Sequence, residues 1–241
     1  MLVAMQKIEA ILFDTFGTLV DWRSSLIAQL SEFGQSRGIE ADWAALTDAW
    51  RGAYQPSMNR VRRGEVPWTN LDDLHRASLL RLVAEFGIAG VTDDDLTTLT
   101  QFWHRLEPWP DSSPGLHRLK RNHIIAPLSN GTVALLIHLG RHADLPWNMV
   151  FGSDLSRHYK PDPETYLGAC ALLGLPPARV MMAAAHNQDL AAAAALGLAT
   201  AFIPRPTEYG AHQVKDLAAE GPWDVVATSV ADLATKLGEA V

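Results

Sequence analysis

The chain predicts an α/β fold, a Rossmann-like parallel sheet core with an inserted helical cap domain, on three observations. Short apolar runs of strand length recur, helical stretches separate the later runs, and one long segment near the N-terminus carries helical patterns with no strand among them. The first run, Ile8 to Phe13, is a buried-strand candidate closed by Asp14 and the Gly17-Thr18 turn. From about Asp21 to Glu107 the pattern changes to four amphipathic segments: Ser25 to Gln35, Asp42 to Arg63, Leu71 to Phe86 and Asp93 to Leu106. Thr92 before Asp93, Asp94 and Asp95 makes a sound helix start, because a capping hydroxyl and early acids suit the free N–H groups of a first turn. Pro108-Trp109-Pro110-Asp111 marks the return to the core. Strands are then expected at Ile124–Leu128, Met149–Phe151, Val180–Ala185, Ala199–Ile203 and Asp224–Ala227. Helices are expected over Thr132–His142, Pro163–Leu173 and Asp189–Leu196. Residues 1–20 and 107–241 are thus assigned to the core and 21–106 to the cap.

Composition narrows the function. With 241 residues and 48% hydrophobic side chains the chain can bury a real core, as one domain or two. A net charge of −7 argues against nucleic acid or an anionic membrane as main partner, so functional positive charge must be local. A single cysteine, Cys170, rules out an internal disulfide, suits a reducing cytoplasm and, among apolar neighbours, reads as a small buried hydrophobe. Met1 to Lys7 is too short for a signal peptide, and no apolar run approaches the roughly 18 residues that span a bilayer.

Four segments follow apolar runs and therefore open onto the same edge of the sheet, where ligands of parallel α/β folds collect. Asp14 with Thr18 is the first and offers a carboxylate nucleophile. Leu128-Ser129-Asn130-Gly131-Thr132 is the second, with polar groups and a helix N-terminus suited to an anion; alone it would read as a turn and N-cap. In the third, Pro161 and Pro163 stiffen the backbone around Lys160, a cation that would keep Asp14 ionised. His186, Asn187, Gln188 and Asp189 form the fourth. Elsewhere, Arg60, Arg62 and Arg63 read as a solvated helix end, and Trp43, Trp50, Trp103 and Trp223 as core. His104, His117, His138, His142 and His158 show no metal-binding spacing and read as surface or structural.

The series Asp-x-Phe-Gly-Thr, Ser-Asn-Gly, Tyr-Lys-Pro-Asp-x-x-x-Tyr and a strand-end Asp before an alanine-rich helix resembles the L-2-haloacid dehalogenases of the haloacid dehalogenase superfamily over nearly the full chain. The phosphatases of that superfamily carry a second Asp where this chain has Phe16, which cannot protonate an alkoxide; a departing halide needs no proton. The resemblance implies that Asp14 is the nucleophile, that Thr18 and Lys160 hold its carboxylate, and that Ser129 and Asn130 receive the substrate carboxylate. It further implies that Arg51, beside Trp50, reaches the halide, that Tyr166 supports the site, that Trp68 forms part of its apolar wall and that Asp189 directs water. Phe16 and Asn187 complete the expected substrate-binding set, and a homodimer is implied.

One segment departs from the pattern. Ala184, Ala185 and His186 stand where the better-known dehalogenases have Ser, Ser and Asn, so His186 or Asn187 is left to place the water, with a purely structural histidine as the alternative. Ala185 also removes a carboxylate that holds Mg²⁺ in the phosphatases, so no metal and no other cofactor is expected. The substrate expected is a small anionic 2-substituted carboxylic acid, first a 2-haloacid, fluoroacetate included, opened through an aspartyl ester to a 2-hydroxy acid of inverted configuration. Hydrolysis of another α-carbon bond, such as a strained cyclic amino acid ring, stays open. A phosphatase is disfavoured by Phe16 and Ala185, and an idle binding module by Asp14, Lys160 and Asp189.

Overall fold

In the computed structural model, which describes residues 7–239, the first apolar run becomes β1 (Ala10–Phe13), with every residue buried. Most of the segment excluded as a signal peptide, Met1 to Gln6, lies outside the described residues. Alternation on β1 feeds two cores: Ile11 and Phe13 join the larger cluster, Ala10 and Leu12 the cluster on the opposite face. After β2 (Val20–Asp21) the chain runs through α1 (Trp22–Arg37), α2 (Trp43–Arg62), α3 (Leu71–Glu85) and α4 (Asp93–Thr100), then a 3₁₀ turn at Gln101–His104. It returns through β3 (Glu107–Pro108), which pairs antiparallel with β2, Val20 facing Pro108. Thr92 caps α4 in a full capping box with Asp95. The expected helix to Leu106 instead tightens after Thr100. The Thr97, Thr98 and Thr100 hydroxyls bond back to carbonyls four residues earlier, which bends a helix.

The remaining elements are α5 (Ser112–Leu119), β4 (Ile124–Pro127), α6 (Val133–His142), α7 (Ser153–Ser156) and α8 (Pro163–Leu173), followed by a 3₁₀ turn at Pro177–Arg179. Then come β5 (Val180–Ala184), α9 (Asn187–Ala195), β6 (Ala199–Phe202), β7 (Val225–Val226) and α10 (Val230–Lys236). The five-stranded sheet has the order β4-β1-β5-β6-β7, all neighbours parallel. Phe13 pairs with both Pro127 and Ala183, so Asp14 and Leu128 leave the sheet beside Ala184, the last residue of β5.

Met149–Phe151, expected as a strand, is not one. It lies beside the end of β4 with a single parallel bridge, Leu128 to Phe151. The Asn148 side chain accepts from Ile125 N at 3.1 Å and so substitutes for the ladder where a strand would begin. At β7 the Asp224 carboxylate accepts from Thr200 N at 2.8 Å and trims that strand in the same way. Of the four tryptophans expected in the core, Trp50 and Trp103 are fully buried and Trp43 and Trp223 pack half-buried against the two clusters; Trp22 is fully buried as well.

Candidate active site

Asp14 emerges from the centre of the sheet and is itself buried. Thr18 Oγ1 donates to its Oδ2 at 2.7 Å and accepts from Ala185 N at 2.9 Å, which ties the turn after β1 to the end of β5. Lys160 Nζ donates to Asp14 Oδ1 at 2.8 Å and to Asp189 Oδ2 at 2.5 Å. Tyr166, on α8, donates to Asp189 Oδ1 at 2.5 Å, and Asn130 Oδ1 accepts from Lys160 N at 2.7 Å, so the turn after β4, α8 and α9 all steady the lysine. His186 Nδ1 lies 2.9 Å from Asp14 Oδ2, and its Nε2 lies 2.9 Å from Glu208 Oε2.

Burial alone would raise the Asp14 pKa, but the Lys160 charge and the His186 contact outweigh it and hold the carboxylate well below its usual range. Lys160 is pushed up by Asp14 and Asp189 against the opposing effect of burial. Asp14 is therefore an anion at neutral pH, shielded from water and held between cations.

Asp14, Asn130, Lys160, Tyr166, His186 and Asp189 line a cavity of about 570 Å³, with Phe16, Arg51, Tyr54 and Tyr209 on its other walls. Arg51 comes from α2. Its guanidinium lies 4.3 Å from the Tyr54 ring and 5.3 Å from Trp22, Nη2 is 3.8 Å from Glu208, and the buried Nη1 has no hydrogen-bond partner among the described residues. A cation with an unsatisfied donor, lining the same cavity as a buried carboxylate nucleophile, suits an anion that arrives or leaves there.

Of the residues singled out from sequence, Asp14, Phe16, Arg51, Asn130, Lys160, Tyr166, His186 and Asp189 line this one cavity, with Thr18 behind Asp14. Three do not. Trp68 packs on Tyr159 with ring centres 5.0 Å apart, away from the cavity lining. Ser129 faces a separate hollow beside Phe151, and its hydroxyl accepts from Gly131 N. Asn187 has its amide fully engaged. Nδ2 donates to Asp216 and to the Ala218 carbonyl, and Oδ1 accepts from Glu220 N and Trp223 Nε1. It fastens the segment between β6 and β7, with no atom to spare for substrate. Asp216 also accepts from Asn187 N, which starts α9 two residues before the expected Asp189.

Sequence reasoning missed Glu208, Tyr54 and Tyr209. Tyr54 was within reach, since it stands three residues after Arg51 on the same helix face. The other two come from the long stretch between β6 and β7, without regular structure, at the edge where ligands collect; its length was the available signal. Among the described residues no group of three or more His, Cys, Asp or Glu is arranged to hold a metal ion.

The sequence model of the haloacid dehalogenase-like hydrolases matches residues 8–197. A solved L-2-haloacid dehalogenase is 55% identical, with a TM-score of 0.93 over 95% of this chain and 98% of its own. A solved structure described as a defluorinating L-2-haloacid dehalogenase is 48% identical, also with a TM-score of 0.93, over 95% of each chain. The (S)-2-haloacid dehalogenase 4A of Burkholderia cepacia is 29% identical over 94% of this chain and 98% of that protein. With a strand-end aspartate, a lysine bridging it to a second aspartate and these relatives across nearly its whole length, the chain belongs to the haloacid dehalogenase-like hydrolases, in their L-2-haloacid dehalogenase branch.

Proposed function

We infer that the protein is a hydrolytic dehalogenase that converts small 2-haloacids to 2-hydroxy acids through an ester on Asp14, with fluoroacetate among the substrates. The carrying observation is Lys160 Nζ between Asp14 and Asp189, where it keeps the nucleophile charged. Phe16 lines the same cavity and offers no proton to an alkoxide. The defluorinating relative supports including fluoroacetate.

In the first step an Asp14 oxygen attacks the α-carbon from the side opposite the halogen. The C–O bond forms, the carbon–halogen bond breaks, and the halide leaves with its electron pair toward Arg51. Asn130 and neighbouring backbone N–H groups serve the substrate carboxylate. In the second step water attacks the ester carbonyl carbon and passes a proton to Asp189. The substrate oxygen then leaves that carbon and takes the proton as the product hydroxyl, and Asp14 reionises, releasing one proton. Exclusion of bulk water strengthens the carboxylate as a nucleophile. The division into a core of 1–20 and 107–241 and a cap of 21–106 is supported by the β2–β3 pairing at the crossing points. Leu155 and Leu172, at least half exposed beside an apolar hollow, support a homodimer, and the single cysteine supports a cytoplasmic location.

Halide release from chloro-, bromo- and fluoroacetate, beside a generic phosphate ester with Mg²⁺, tests the reading. We expect halide from at least the chloro and bromo acids and none after Asp14→Asn. Phosphate release without halide would overturn it.

A further inference from the structure

Glu208 is the unexpected member of the site. Its carboxylate is 1% exposed, with Oε1 accepting from Trp22 Nε1 at 3.0 Å and Oε2 lying 2.9 Å from His186 Nε2. Gly17, in the turn after the nucleophile, has φ +84°, and a Cβ there would come within 2.2 Å of this carboxylate, so the turn leaves room for it. His186 thus has a carboxylate at each ring nitrogen: Asp14 at Nδ1 and Glu208 at Nε2. Carboxylates only accept, so the ring must carry a proton on both nitrogens.

We propose that Glu208 is a positioning residue that holds His186 as a double donor, so that His186 Nδ1–H stays on Asp14 Oδ2 and takes up the negative charge that water's attack places on that oxygen. This rests on the dehalogenase reading and says how its second step is assisted. Oδ2 already receives two donors, Thr18 and His186, whereas Oδ1 receives Lys160, so Oδ1 is the freer to form the bond to the substrate carbon. Oδ2 is then the ester carbonyl oxygen. When the water oxygen bonds to the carbonyl carbon, the π electron pair moves to Oδ2; when the pair returns, the bond from that carbon to Oδ1 breaks. A charged donor at Oδ2 favours the intermediate more than a neutral amide would.

Esterification removes the Asp14 charge. Glu208 is then the carboxylate still touching the imidazolium, at the step that needs it. Burial works against a charged His186, and Glu208 together with Asp14 outweighs it, holding the ring protonated well above its ordinary range. Lys160 and Arg51 stand behind the two carboxylates as their other cations. Asp48, Asp189, Lys215 and Asp216, with Tyr54, Tyr166 and Tyr209, complete the titratable groups on the cavity wall.

Glu208→Gln keeps the shape and a hydrogen bond but removes the charge. With bromoacetate and rapid quenching, the halide burst reports ester formation, and mass spectrometry of the Asp14 peptide reports ester decay, from slightly acid to alkaline pH. The cationic ring is the assisting form, so decay slows as pH rises through its pKa. We expect this alkaline limb to move about one to three pH units lower in the Gln variant, with the burst kept and Glu208→Asp restoring the wild-type limb. Ester decay with the wild-type pH dependence, or uniformly slow at every pH, overturns the role of Glu208. A wild type that releases no halide overturns the dehalogenase reading itself and the proposal with it.

Discussion

Arg51 shows how much a single side chain of this site depends on shape as well as charge. Its flat guanidinium lies against Tyr54 and Trp22 while one nitrogen nears Glu208 and another stays unpaired among the described residues. Arg51→Lys keeps the charge and loses the plane, and we expect kcat on chloroacetate to fall at least about tenfold, roughly 1.4 kcal/mol in the barrier. Unchanged kinetics would make Arg51 a packing residue. His75 illustrates the opposite case, a polar ring with no polar role. It is buried 4.3 Å from the Trp103 ring, neither nitrogen has a hydrogen-bond partner among the described residues, and burial, opposed by Asp72 and aided by Arg51, pushes its pKa down from 6.5 to about 3. Neutral in the fold, it binds a proton in the unfolded chain below about 6.5, so it costs stability as pH falls from there toward 3. His75→Phe should remove about 2 kcal/mol of that loss at pH 5, read as the difference in urea midpoints between neutral and acid pH. Asp14, Lys160 and Asp189 were legible in the sequence because each follows an apolar run. Glu208 was not, because a lone acid in an unpatterned stretch reads as a solvated charge.

The segment from Ile203 to Asp224 is the element on which the site most depends and the one with the least regular structure of its own. Asn187 supplies the order it lacks, with four side-chain hydrogen bonds that reach Asp216, Ala218, Glu220 and Trp223. Asn187→Ala would leave several of those groups unpaired. We expect about 1–3 kcal/mol of lost stability and faster proteolytic nicking within this segment, with little change in KM if catalysis is measured on the folded fraction. A raised KM with unchanged stability would restore Asn187 to the substrate. The periodic elements, α2, α3, α6 and α8 among them, were readable from apolar spacing. The misread ones, Met149–Phe151 and the starts of β7 and α9, lie where side chains of Asn148, Asp224 and Asp216 replace backbone partners, an exchange that no period reveals.

At the scale of the molecule, the sheet explains why so much of the site could be anticipated. Registered parallel strands deliver their C-terminal residues to one edge whatever loops follow, whereas strand order and the reach of the β6–β7 segment are tertiary facts. The same architecture places Lys160 between the carboxylates, so dehalogenation should be unaffected by EDTA and by added Mg²⁺; loss of activity on chelation with recovery on Mg²⁺ would count against the lysine-based site. The pairing of β2 with β3 has a consequence for redesign. Because the chain departs and returns on strands about 5 Å apart, everything between them is joined to the sheet as by a single stem. We therefore expect length changes in the loops of that segment to leave Asp14 in place, whereas grafting a foreign segment at Asp21 and Glu107 would also replace Trp22, Arg51 and Tyr54 and so redraw the wall that meets the substrate.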